Sequence, residues 1–194
     1  VLALEPLHDY AGLEMGFCVH GEIRTLCEIA QPQIGVITNI GTVHAERAGS
    51  QEIIAKGKAE LVESLPSAPE GIAILNMDDE RVWNMRHNTE AQILSYGISH
   101  KADLTASEIE THGLEGLSCT LTYQDKTHYI HSPLMGAFSV YTILCASAVA
   151  LTAGLEWDQI VTGLRESQIV IRMRQHTLPN GVTVLDDTYN ASPA

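Results

Sequence analysis

Seven side chains in this chain are of types that could hold a divalent cation or a phosphorylated ligand: Glu14, His44, Lys58, Asn76, Asp79, Arg172 and Asp187. Carboxylates are hard oxygen ligands for ions such as Mg²⁺, and a neutral imidazole is a common metal ligand. Lys and Arg meet phosphate oxygens, and Asn and Asp hydrogen-bond a ribose or a base. Each also has a plainer reading. Glu14 suits a helix cap or an ion pair, His44 an ordinary loop histidine, and Arg172, in IRMRQ, a surface charge. The run Asn76-Met77-Asp78-Asp79 equally suits a capping turn. Asp186 and Asp187 form a carboxylate pair at the end of the last apolar run. Lys58 is harder to dismiss, because Ile54, Leu61 and Val62 lie one turn away and place it beside an apolar stripe. A lysine there must snorkel, find a partner or be chemically modified.

The elements that would position these residues follow from hydrophobic patterning. Apolar runs at Asp9–Met15, Ile34–Ile40, Gly71–Leu75 and Ala91–Tyr96 predict buried strands. Glu22–Ala30 predicts a helix ended by Pro32. Ser50 predicts the cap of a second helix, with Ile53, Ile54, Leu61, Val62 and Leu65 as its apolar stripe. Asp78 and Asp79 would open a third helix holding Val82, Trp83 and Met85. Strands alternating with helices through short links argue for a parallel sheet wrapped by helices. Ligands of such sheets collect outside the carboxyl ends of the strands, where nearly all of the seven candidates fall.

The texture then changes. Leu104–Glu110, Leu117–Tyr123 and Thr127–Leu134 predict a small antiparallel meander, with turns at His112-Gly113, Glu115-Gly116 and Gln124-Asp125. Phe138–Ala153 and Trp157–Leu164 predict helices, and Val182–Leu185 a last strand. The fold expected is α/β: a mostly parallel, helix-flanked sheet with a small antiparallel β-meander.

Composition sets the outer bounds. The 194 residues suffice for a real core, and 45% hydrophobic with 18% charged residues fits a globular protein. A net charge of −13 lacks the basic footprint of a duplex nucleic-acid binder, yet leaves room for a nucleotide, which needs only local positive charge. Cys18, Cys27, Cys119 and Cys145 show no CxxC spacing and are expected to be free thiols. No signal peptide opens the chain and no apolar run approaches the ~18 residues of a membrane span, so a cytoplasmic home is expected. The chain starts without Met and stops at Asn-Ala-Ser-Pro-Ala, and both ends are expected to be cut from something longer. It carries no GxxxxGK[ST] phosphate loop.

As an ordered set, several stretches resemble the Mur ligase family, and within it the MurF type. They are LEMG at 13–16, HGEI at 20–23, TNIGTVHAER at 38–47, AKGKAEL at 55–61, LNMDD at 75–79 and LDDTYNASP at 185–193. The resemblance implies the P-loop-NTPase-like central domain of such a ligase over residues 1–170, with 171–194 opening a C-terminal domain. It further implies ATP and two Mg²⁺ ions as cofactors. Glu14 would be a ligand of one ion, and His44 and Lys58 would serve the other, with Lys58 carbamylated so that it offers carboxylate oxygens. Lys56 is the second choice for that role. Asn76 and Asp79 would approach the nucleotide, Arg172 its phosphates and Asp187 its ribose.

By the same resemblance the parent protein would join D-alanyl-D-alanine to UDP-N-acetylmuramoyl-tripeptide through an acyl phosphate. It would be a cytoplasmic monomer with these small molecules as partners, no nucleic acid and no membrane span. The chain departs from the family pattern where GRHNxxN reads Gly136-Ala137-Phe138-Ser139-Val140-Tyr141-Thr142, and where GRxE has Ile171 and Arg174. The 194 residues alone are expected to lack ligase activity. Two alternatives are another amide ligase of the superfamily and a non-catalytic binding or assembly module on the same scaffold.

Overall fold

The computed structural model describes residues 5, 7–41, 50–99, 101–167 and 174–186. The chain forms two compact units, 1–94 and 95–194, whose boundary falls inside one strand.

The first unit contains α1 (Glu22–Ala30), β1 (Ile34–Ile37), α2 (Gln51–Glu63), β2 (Ile72–Asn76), α3 (Glu80–Asn84) with a 3₁₀ turn at Met85–Asn88, and the start of β3 (Gln92–Gly97). β1 and β2 run parallel with Ile34 opposite Ile72 and Ile37 opposite Leu75. The N–H of Gln92 donates to Gly71 O, fastening the start of β3 beside the start of β2. The core lies between strands and helices: Ile37 from β1, Ala73 and Leu75 from β2, Ile54, Ala59 and Val62 from α2, and Val82 and Met85 beyond. Ser50 caps α2 as expected, its Oγ accepting from Ile53 N at 3.3 Å.

The second unit begins with the end of β3, which pairs parallel with β4 (Leu104–Thr111) through Tyr96 and Leu104. The expected meander follows: β4, β5 (Leu117–Tyr123) and β6 (Lys126–Ser132) pair antiparallel in sequence. Gln124 and Asp125 both have positive φ and join Tyr123 to its partner Lys126, the two-residue turn that matches strand twist. Leu117, Cys119 and Leu121 are buried with strand period, and α4 (Ser139–Thr152), whose Val140, Ile143 and Leu144 are buried, packs on β4 and β5. α5 (Trp157–Arg165) lies on β6, where His128 stacks on Trp157 with ring centroids 4.0 Å apart. β7 (Arg174–Thr177) and β8 (Thr183–Asp186) form a separate antiparallel pair. All four cysteines are free, and burial pushes the Cys119 thiol up to about 11, leaving it protonated and inert at neutral pH.

Two sequence expectations are corrected, and one strand is added. Asp9–Met15 is not a buried strand: the segment is irregular and largely exposed, with Tyr10 66% and Leu13 41% accessible. A strand needs a ladder, and among the described residues none pairs with this segment, which carries acidic residues and a glycine within its short apolar run. Ile53 is 44% exposed and lies outside the α2 stripe, whose buried members are Ile54, Gly57, Ala59, Glu60 and Val62. β7 was not anticipated, because RQHT has no apolar alternation and owes its strand form to pairing with β8.

Gly57 shows how closely the segment before α1 approaches α2. A Cβ there would overlap the Phe17 ring, with Cε2 the nearest atom. Gly57→Ala is therefore expected to cost about 1–3 kcal/mol, the usual range for overpacking. Urea unfolding checks this, and the cost should shrink in a Phe17→Ala background, because the two residues share one contact.

Candidate functional site

The site is built where β1 ends. Residues 38–40 leave the strand and are fixed from two directions. From the end of β2, Asn76 is buried and its Nδ2 donates to Thr38 O at 2.9 Å, while its Oδ1 accepts from Asp78 N at 3.0 Å. Three residues later Asp79 serves as the N-cap of α3, its Oδ1 accepting from Arg81 N at 3.0 Å and Val82 N at 3.1 Å. Its other oxygen, Oδ2, accepts from Ile40 N at 2.7 Å. One carboxylate thus caps a helix and holds the neighbouring loop.

Lys58 reaches the same loop from α2. Its Nζ donates to Asn39 O at 3.0 Å, so the lysine beside the apolar stripe has found a partner rather than running out to solvent. The side chain is half-buried, and burial lowers its pKa from the ordinary 10.5, with the Asp79 charge pulling the other way. Desolvation is the larger effect. Lowering matters chemically, since only the neutral amine is a nucleophile and only a modified, oxygen-bearing form of lysine would be a hard-metal ligand.

Three of the seven sequence candidates, Lys58, Asn76 and Asp79, are therefore brought to one loop. Glu14 is exposed on the irregular segment before α1 and makes no hydrogen bond or ion pair among the described residues. His44, Arg172 and Asp187 lie outside the described residues. Among the described residues there is no group of three or more His, Cys, Asp or Glu side chains placed to hold a metal ion. A polar cleft of ≈ 470 Å³ lined by Glu63, Ser67, His87, Asn88, Thr89 and Glu90 contains none of the candidates. Four of its polar groups are paired within it, Ser67 Oγ with Glu90 at 3.0 Å and Asn88 Nδ2 with Glu63 at 3.1 Å.

Sequence reasoning missed Glu60, which is fully buried on α2 two residues after Lys58. Its Oε1 accepts from Gly21 N at 2.7 Å, its Oε2 accepts from Arg24 N at 3.1 Å, and His20 Nδ1 lies 3.0 Å from Oε1. The available signal was Gly57, one turn earlier, which marks the side of α2 that another segment approaches.

The chain has counterparts among known proteins. Residues 2–150 match the Mur ligase middle domain. The chain belongs to the Mur ligase family. Among its relatives, the UDP-N-acetylmuramoyl-tripeptide--D-alanyl-D-alanine ligase of Mycobacterium tuberculosis is 38% identical over 187 residues, covering 95% of this chain and 36% of that protein. A crystal structure of MurF from Acinetobacter baumannii superposes with a TM-score of 0.89 at 30% identity, over 98% of this chain and 41% of that one. The structure of MurF ligase from Thermotoga maritima in complex with ADP gives 0.77 at 25% identity, over 95% of this chain and 43% of that one. This Mur ligase chain thus spans about two-fifths of the length of such relatives. The expected α/β fold is the one found.

Two outcomes test the site as described. A lysine pushed below its ordinary value is protonated more readily in the unfolded chain than in the folded one. Its stability penalty is full below the folded pKa and is relieved as pH rises toward 10.5. Relative to Lys58→Met, the wild-type chain should gain stability as pH rises from 7 to 10 in urea titrations; parallel profiles would contradict this. Asp79→Ala should lower stability by about 1–2 kcal/mol through the lost cap, whereas Asp79→Asn, itself a good N-cap, should lose much less.

Proposed function

We propose that this chain is the central part of an ATP-dependent amide ligase of the MurF type, which adds D-alanyl-D-alanine to UDP-N-acetylmuramoyl-tripeptide. In this reading residues 1–170 form the ATP-handling domain, 171–194 begin the domain after it, and the enzyme works as a cytoplasmic monomer. The observation that carries the reading is Lys58: a lysine of α2 that meets the loop after β1, half-buried and with its pKa lowered by burial, on the scaffold of the Mur ligase middle domain.

The neutral Nζ attacks the carbon of CO₂; a C–N bond forms, a C–O π pair moves onto oxygen, and the ammonium proton leaves to solvent. The product is a carbamate whose oxygens suit Mg²⁺. Glu14, His44 and modified Lys58 would hold the Mg²⁺ ions. When bound, those ions neutralise charge on the transferring phosphoryl group. Asn76 and Asp79 shape the 38–40 loop that the nucleotide meets, Arg172 contacts its phosphates, and Asp187 its ribose. The protein's share of catalysis is then positioning and electrostatic stabilisation of the acyl phosphate and the tetrahedral species that follows.

The test is ADP release by the complete ligase containing this chain. Release should require both UDP-N-acetylmuramoyl-tripeptide and D-alanyl-D-alanine, and Lys58→Ala should lower it roughly 100-fold, with Lys58→Arg equally poor. Turnover with a different amine acceptor in preference to D-alanyl-D-alanine would refute the substrate assignment. Near wild-type turnover by Lys58→Ala would refute the role of the lysine.

A further inference from the structure

From Glu60 we infer that a positioning residue on the back of α2 sets where Lys58 stands. The two residues are two apart on one helix and so point to different sides, about 200° apart. Lys58 faces the loop after β1, donating to Asn39 O. Glu60 faces α1, where its carboxylate accepts the N–H groups of Gly21 and Arg24 and meets His20.

The geometry is that of a buried helix cap supplied from another helix. Gly21 is the N-cap residue of α1, has φ of 95° and contributes no side chain of its own to the first-turn N–H groups. An anion at that end is favoured by the unpaired N–H groups and the helix dipole. The carboxylate has no exposed surface, so it is stabilised only while those donors stay in place. The bond therefore constrains both helices.

Neighbouring contacts lie on the same side of α2. Gly57, one turn before Glu60, receives Phe17. Glu63, nearly one turn after it, takes Arg24 Nη2 on Oε2 at 2.9 Å. Gly57, Glu60 and Glu63 therefore form a stripe that registers α2 against α1 and the Phe17 segment. Leu61, about 100° further round α2 from Glu60, and Leu65, just past the helix end, lie against Gly35 of β1, 3.0–3.3 Å from where its Cβ would be. Loss of the Glu60 contacts would leave α2 held on that side only by its β1 contacts and free to roll, and Lys58 would leave Asn39. The consequence for a metal site rests on the reading of Lys58 given above; the positioning of the lysine does not.

The experiment compares the complete protein with its Glu60→Gln, Glu60→Asp and His20→Ala variants, using Ser50→Ala as a control that weakens α2 at its exposed cap. Reductive methylation with formaldehyde in CO₂-depleted buffer is followed by peptide mass spectrometry, with exposed Lys56 on the same helix as the internal reference. Hydrogen exchange at the Gly21 and Arg24 amides reports whether the cap is lost.

In Glu60→Gln those amides should exchange at least ~10-fold faster, and the Lys58-to-Lys56 labelling ratio should rise at least ~5-fold. Glu60→Asp should recover part of both, and His20→Ala, which keeps the carboxylate, should give a smaller change of the same sign. Should Glu60→Gln fail to fold, His20→Ala and Glu60→Asp decide. Faster exchange at Gly21 and Arg24 with an unchanged labelling ratio, or a ratio that rises as much in Ser50→Ala, would overturn the inference. Absence of ligase turnover in the wild type would refute the proposed reaction and leave the labelling result standing.

Discussion

A single carboxylate with no exposed surface organises the first unit. Leaving Glu60 buried without donors would cost several kcal/mol, far more than an exposed ion pair returns, so the arrangement of its donors is obligatory rather than decorative. Those donors are the N–H groups of Gly21 and Arg24 together with His20, all at the start of α1. Glu22, in the first turn, completes the corner by accepting the N–H groups of Cys18 and Val19 at 2.7 and 2.9 Å. Those two bonds, led by Val19, hold its carboxyl below the usual glutamate range. The loop that enters α1 is thus tied to the helix it begins and to the helix behind it.

That corner gives α2 one fixed side, and Lys58 sits on the other, donating to Asn39 O. Two effects compete at Lys58: removal from water disfavours its charge, and the nearby Asp79 favours it. Burial is the larger of the two. Asp79 is itself engaged, with Oδ1 on two amides of α3 and Oδ2 on Ile40. The same bonds explain why the 38–40 loop offers the lysine a carbonyl. Thr38 O is taken by Asn76 and Ile40 N by Asp79, which leaves Asn39 O turned toward Nζ. Polar residues that a sequence reader assigns to a ligand here first build the loop that would meet it.

What could be read in advance follows from the range of each interaction. Ser50 and Asp79 were legible as helix starts because capping acts within three residues. The meander was legible because strand period and the Gln124-Asp125 turn are local. Glu60 was not, since its partners lie 36 and 39 residues away and a glutamate among Ala59 and Leu61 resembles any solvated helix position. The Asp9–Met15 run misled because hydrophobicity signals a strand only where a neighbouring strand exists to pair with it. Ile53 misled for a different reason: the side of α2 that faces α1 is marked by Gly57 and Glu60, not by large apolar groups, so an apolar-stripe search was drawn toward a residue that stays exposed.

Burial lowers the Lys58 pKa from its ordinary value, and the proposed function requires that its Nζ take up CO₂. Carbon-13 NMR of the complete protein in ¹³C-bicarbonate tests it most directly. A carbamate resonance that grows in with bicarbonate, persists in Lys56→Met and vanishes in Lys58→Met is the result predicted. No such resonance in the wild type, or one that survives Lys58→Met, would contradict the account.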